Sequence, residues 1–284
     1  MAEGNALINL GELSKPATVL IEKVSDAIGG ICKPWQIKRV AKAEAEVDKV
    51  RALTGVEVSE IEQRAMLRLM AEETKKQENI ENITAKAVKE LKADAKPENL
   101  EPDWIANFFD KCRLVSDEEM QSLWSRLLAE EANKPGAFSK RTIELVASLD
   151  KKDAHLFTKL MGFAWNIEDE IHPLIYDHNN EVYKKQGINF ETLAHLEDIG
   201  LIKFDYNKGF AWSGLSKTIV SHYFDAKTMT ELKNQKNNTI QTGCASLTQT
   251  GRELATICGA SKVPGFLEYV LKGWEGKGYK VSRQ

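Results

Sequence analysis

Between Pro16 and Ile31 the apolar residues Ala17, Leu20, Ile21, Val24, Ala27, Ile28 and Ile31 recur at three- and four-residue steps. That spacing is one stripe of an amphipathic helix, with Pro16 suited to its first turn and Gly29-Gly30 to its stop. The opposite face holds Glu22, Lys23, Ser25 and Asp26. A helix lying on a membrane wants Lys and Arg there, and this face is mixed. Leu20, Ile21, Val24, Ile28 and Ile31 are therefore expected to pack on a core or a partner. Membrane attachment through residues 16–31 is the alternative.

From Lys33 to about Leu91 the chain is rich in Ala, Glu, Lys and Arg and nearly free of breakers, the composition of long exposed helices. Its apolar positions Val40, Val47, Val50, Val58, Ile61, Ala65 and Leu69 form a narrow seam of the kind that helices use to pair with one another. Gly55 weakens the middle, and Ser59 with Glu62 can form a capping box that restarts a helix. A helix of this length with so thin a seam cannot bury itself alone. Val40, Val47, Val50, Val58, Ile61 and Leu69 are thus expected to meet another helix or a second copy of the chain.

A linker is expected around Lys96 to Pro102, and wider aromatic faces follow. Trp104, Ile105, Phe108, Phe109 and Cys112 predict one helix. Met120, Leu123, Trp124, Leu127 and Leu128 predict a second, opened by a capping box of Ser116 and Glu119. A third runs from about Ser139 to Leu149, after the NKPG break. Asp150 can cap the next, with Leu156, Phe157, Leu160, Met161 and Ala164 facing inward. Beyond an irregular polar stretch, Asn189 can cap a helix that Gly200 ends in the left-handed conformation, and a strand starts at Leu201-Ile202. YNKG signals a turn between two strands, and SLTQTGRELATICG reads as a short strand entering a helix. Helix, helix, hairpin and helix in that order is the plan of a winged-helix module. Phe266 to Trp274 closes the chain as a short helix.

The expected fold class is mainly α: long N-terminal helices, a central helical bundle and a C-terminal winged-helix-like α+β module. The expected domains are an amphipathic helix with a long helical region (1–95), a compact bundle (96–150) and the winged-helix-like domain (151–284).

Two stretches add a resemblance. VSDEEMQSLWSRLLAEEANKPGAFSKRTIELVASLDKKDAHLF, followed by FETLAHLEDIGLI and LTQTGRELATIC, resembles the bacterial abortive-infection alpha family and a related bacterial domain family. In those families a "DEELQDLWANLL"-like helix precedes a "LSPLDAKLL"-like helix and a winged-helix-like ending. The likeness spans roughly residues 30 to 260 in order of elements and is sharp around 115–157 and 189–202. It implies a role in phage defence or a neighbouring stress response. It implies no catalytic residues.

Composition narrows the chemistry. In 284 residues, 39 Lys+Arg against 42 Asp+Glu give a net charge of -3, which excludes a generally polycationic nucleic-acid binder. Four cysteines without a close pair fit neither a disulfide framework nor a zinc knuckle, so a reducing cytoplasm is expected, with the inner-membrane surface as the alternative location. The first residues predict no signal peptide, and no apolar run is long enough for a membrane helix.

The one patch with the flavour of metal ligands is Glu168, Asp169, Glu170, His172, Asp177 and His178. Hard cations want several carboxylates and zinc wants spaced histidines, yet EDEIHPLIYDH matches no ligand spacing and Pro173 interrupts any helix. A solvated polar loop is expected, with Glu170, His172, Asp177 and His178 as the metal alternative. No GxxxxGK[ST], GxGxxG, HExxH or GxSxG occurs, and no cofactor is expected.

A DNA-reading helix needs donors and positive charge. The candidate from Asn189 to Ile199 carries Glu191, Glu197, Asp198 and His195, with no Lys or Arg. Residues 186–284 hold 12 basic and 9 acidic side chains, a surplus of +3. Protein recognition is therefore expected ahead of DNA binding. The function expected is a non-enzymatic, phage-defence protein that acts through homo-oligomerisation and recognition of a protein partner or phage component. A winged-helix DNA-binding regulator and a metal-dependent hydrolase are the alternatives.

Overall fold

Ser14 starts the first helix, its hydroxyl accepting the amide of Ala17 at 3.4 Å, with proline in the first turn where no intrahelical N–H is missed. This helix, α1 (Lys15–Ala27), opens a computed structural model that describes residues 13–28 and 60–283. Ile31 and the seam positions Val40, Val47, Val50 and Val58 lie outside the described residues. The chain divides into two units, Met1–Ile143 and Glu144–Gln284. Both contain helices, and the second adds antiparallel sheets, so the protein is mixed and mainly α.

The first unit holds α1, α2 (Glu60–Lys89), a 3₁₀ turn at Pro97–Asn99, α3 (Pro102–Cys112) and α4 (Glu118–Asn133). Helix α1 packs on the 3₁₀ turn, α2 and α3 through Ala17, Leu20, Ile21 and Val24, all buried. Ile28 is half-buried just past its end. The stripe expected to meet a core or a partner, with a membrane as the alternative, is in its described part packed on the unit's own core.

The aromatic residues at helical spacing supply the centre of that core. Trp104 stacks on Phe108 at 5.3 Å between ring centroids, and Phe108 meets Trp124 edge-on at 5.1 Å. Only the second half of α2 joins them, through Ile80, Ile83, Ala85 and Ala87. Between α2 and α4 a buried amide pair forms, Gln121 Nε2 donating to Asn79 Oδ1 at 3.1 Å. Helix α4 is capped by Asp117, which accepts the amides of Glu119 and Met120, where the sequence pattern points to Ser116. A carboxylate one residue later reaches the same free amides and adds a favourable charge at the helix start.

Helix α5 (Lys140–Ser148) crosses the division between the units. The second unit continues with α6 (Lys151–Met161), β1 (Ala164–Ile167), β2 (Glu170–Pro173), α7 (Glu181–Lys184) and α8 (Phe190–Asp198). Next come β3 (Ile202–Phe204), β4 (Phe210–Leu215), β5 (Thr218–Tyr223), β6 (Ala226–Glu231), β7 (Asn238–Gly243) and β8 (Ala245–Leu247). Helices α9 (Gln249–Ala255) and α10 (Phe266–Gly276) and strand β9 (Lys280–Arg283) complete it.

A five-stranded antiparallel sheet runs β2-β1-β5-β6-β9, while β3 pairs with β8 and β4 with β7. The YNKG turn thus joins two strands that do not pair with each other: β3 takes Leu247, Ser246 and Ala245 as partners, across forty residues of chain. The stretch expected to be a polar loop is instead a hairpin, with Trp165 opposite His172. Its turn places Glu168 and Asp169 at φ 49 and 66. Two bonds hold Glu168 there: its amide donates to the Val220 carbonyl at 3.1 Å and its Oε1 accepts the Val220 amide at 2.8 Å.

Asn189 caps α8 by accepting the Thr192 amide at 3.0 Å, and Gly200 ends the helix at φ +81, both as the sequence pattern predicts. An aromatic cluster fills the core of this unit: Trp165, Tyr183, Tyr223, Phe163, Phe266 and Trp274 are all buried. Tyr223 Oη ties it together, donating to the Gly162 carbonyl at 2.7 Å and accepting the Val263 amide at 2.8 Å.

Candidate functional site

Two surfaces stand out, one in each unit. In the first, residues 60–75 of α2 are exposed apart from a half-buried Met70. Ile61, Ala65 and Leu69 follow one another at four-residue steps, so their side chains share a stripe, and Met66 flanks it. Ile61 is 68% exposed and Leu69 57%. The same half-helix is stitched by its own ion pairs, Glu60 with Arg64, Arg68 with Glu72 and Glu73 with Lys76. Such pairs are worth about 0.2–0.5 kcal/mol each, too little to hold a lone helix of this length firmly in water.

In the second unit, α8 presents Glu191, Glu197 and Asp198 to solvent. Its first residue, Phe190, is 46% exposed and packs edge-on against Phe204 at 5.3 Å and Tyr206 at 5.6 Å. His195 Nε2 lies 2.6 Å from Asp153 Oδ1 on α6, which ties the two helices together.

Tyr206 also stands at the rim of a cleft of about 670 Å³ between the β3–β4 turn, β7 and α10. Tyr176, Tyr269 and Trp274 supply its aromatic wall, and Lys208, Lys272 and Lys277 its charge. Trp274 Nε1 donates to Tyr176 Oη at 3.0 Å, and Lys277 Nζ sits 5.2 Å from the centre of the Tyr176 ring. Burial pushes the Tyr176 hydroxyl well above its ordinary range, against the opposing bond from Trp274. Asp205 turns its carboxylate into its own turn, Oδ1 accepting the amides of Asn207 and Lys208 at 3.0 and 2.9 Å. Those bonds hold its pKa below the usual carboxylate value, the Lys208 amide most of all.

Of the residues singled out for metal chemistry, Glu170 and His172 lie on β2, while Asp177 and His178 precede α7. His172 packs on Trp212 with 4.2 Å between ring centroids, and burial lowers its pKa to about 4, with Arg252 adding to the effect. Asp177 Oδ1 accepts the Asn179 amide at 2.9 Å, and His178 joins the aromatic group of Phe190 and Phe204. Among the described residues no three His, Cys, Asp or Glu side chains converge as a metal site. The thiols of Cys112 and Cys244 are pushed up by burial, the latter to about 11. That direction disarms a nucleophile.

The cleft itself escapes sequence reasoning. Its one trace is aromatic residues interleaved with lysines and glycines, as YNKG at 206–209 and EYVLKGWEGKGY at 268–279. No helix among the described residues is long and apolar enough to cross a membrane. The family model described as a protein of unknown function (DUF2806) matches residues 63–271. No curated protein and no solved structure matches the chain.

Proposed function

We propose that this chain, which belongs to the DUF2806 family, is a non-enzymatic assembly and recognition protein. Its first unit joins copies of the chain through α2, and its second recognises a protein partner. The observation that carries this reading is the exposed stripe of Ile61, Ala65 and Leu69 on a half-helix without buried contacts of its own. Burying a leucine or isoleucine contributes about 1.5–3 kcal/mol, so a few such side chains repeated across a two-fold interface suffice to drive pairing.

For recognition we propose a winged-helix-like module. Supporting it are the succession α6, α7, α8, the antiparallel β3–β8 pair that follows, and α9 after that. The chain between β3 and β8 is then an enlarged wing. The outward face of α8 is acidic with an aromatic start, which suits a basic, apolar protein segment and repels phosphate.

The setting in phage defence rests on the resemblance of residues 115–157 and 189–202 to the abortive-infection alpha family. Sedimentation velocity tests the assembly directly. The chain should sediment as an oligomer at micromolar concentration, and Ile61→Glu with Leu69→Glu should return it to a monomer. A wild-type monomer, or a charged variant of unchanged mass, refutes the reading. Plating a phage panel on bacteria carrying the wild-type gene or that double variant tests the setting: equal plaque counts with and without the gene remove it.

A further inference from the structure

We propose that the cleft beside α10 binds a free nucleotide, its phosphate held by Lys208, Lys272 and Lys277 and its base lying against Tyr206. Three observations in the second unit lead there. The first is size: about 670 Å³ falls inside the 300–1,000 Å³ range of small-ligand sites.

The second is charge. Among the described residues none of the three lysines has a carboxylate within ion-pair distance, and Asp205, on which the Lys208 charge acts, spends its Oδ1 on the amides of its own turn. Asp177 also acts on this region, adding to the burial that raises Cys244 and Tyr269, and three ammonium groups against these two carboxylates leave the cleft positive. Lysines near a helix end often serve only to offset its dipole. Here, though, backbone donors already close the end of α10: the Lys277 amide bonds to the Trp274 carbonyl, Gly278 to Glu275 and Tyr279 to Trp274. Lys208, moreover, reaches the same cleft from the β3–β4 turn, away from any helix end.

The third is shape. Tyr206 is 59% exposed at the rim, and a Cβ added at Gly273 on α10 would meet nothing within 4 Å. The bare backbone there leaves room for a flat ring to enter between aromatic walls. A cationic guest is excluded, since the ring face of Tyr176 already carries Lys277 and the lysines would repel it. An anion with a planar ring satisfies both halves of the lining, and a nucleotide is the common metabolite with that chemistry. Nucleic-acid strands share it. The acidic face of α8 begins beside Tyr206 at Phe190, which disfavours a longer phosphate chain.

Isothermal titration of the full chain with AMP, UMP, adenosine, ribose 5-phosphate and pentathymidylate tests the assignment. AMP or UMP should bind. Adenosine, which lacks the phosphate, and ribose 5-phosphate, which lacks the base, should each bind at least about tenfold more weakly, as expected for losing one charge-assisted bond or one stacking contact. Lys208→Gln, on an exposed turn, and Tyr206→Ala should each weaken AMP binding by about tenfold while the far-ultraviolet circular dichroism stays unchanged. Absence of AMP and UMP binding at millimolar concentration overturns the proposal. So does AMP affinity that neither folded variant alters. Pentathymidylate binding much tighter than UMP overturns it in favour of a strand-binding groove.

Discussion

Single buried polar side chains decide more of this fold than their number suggests. Glu131 on α4 is buried, and its two carboxylate oxygens accept the amides of Gly136 and Phe138 at 2.7 and 2.8 Å. That clamp fixes the loop whose Phe138 carbonyl then accepts the Trp104 indole at 2.9 Å. Glu131→Gln keeps the shape but leaves one amide facing an NH₂ group. It should cost about 2 kcal/mol, read as a lower urea midpoint with unchanged slope. His172 makes a prediction in pH. Its folded pKa of about 4 lies below the unfolded value of 6.5, so between these values the unfolded chain binds the extra proton. Stability is then fully present above pH 6.5 and is lost as pH falls toward 4. Because the ring is only partly buried, the loss should be held to about 1–2 kcal/mol. Urea midpoints measured from pH 7 to 4 should fall more for the wild type than for His172→Phe, and parallel curves would exclude the histidine as the cause.

At the scale of elements, α2 joins two environments within one helix. Its second half is core: Ile83 is completely buried, and Ile83→Ala should cost about 2–5 kcal/mol in thermal or urea unfolding of the isolated monomeric variant. Its first half touches little, so Met66→Ala, beside the stripe, in the same background should change stability by less than about 0.5 kcal/mol. Equal effects would mean the stripe is buried in the monomer. Helices α4, α6 and α8 were legible because each carries apolar residues at a clear 3.6-residue spacing with a cap beside it, as for Asn189 before α8, whereas the four-residue α7 lies within the stretch expected to be irregular. The strands β5 and β6 were not, and the reason is chemical. Their inward positions include Ser221, Thr228 and Thr230, all buried, with Ser221 Oγ and Thr228 Oγ1 bonded at 2.8 Å. A polar pair facing inward erases the apolar alternation that marks a strand. The β1–β2 hairpin hid for a related reason: Glu168 and Asp169 take left-handed backbone angles that the sequence reserves for Gly or Asn.

Over the whole molecule a net charge of -3 says little, because the sign of the charge differs from place to place. The candidate cleft was illegible for the same reason: Lys208 and Lys277 are 69 positions apart, and only the path of the chain through β4 to α10 places them on one cavity. The legible part was the helix that a DNA-binding winged helix would place in the groove, and it argues against that use. Glu191, Glu197 and Asp198 are exposed on it, and Glu197 already accepts the Phe204 amide at 2.8 Å, which holds its carboxylate in place. Any duplex approaching α8 meets fixed negative charge, and each lysine–phosphate contact made elsewhere must first offset that repulsion. Retention of duplex DNA in a gel-shift titration should therefore be absent at 50 mM salt with micromolar protein. Glu191→Lys with Asp198→Lys should introduce weak binding that falls steeply with salt, since two phosphates would then be neutralised and their counterions released. Salt-sensitive binding by the wild type would place the nucleic-acid face on α8 itself and reverse the argument for a protein partner.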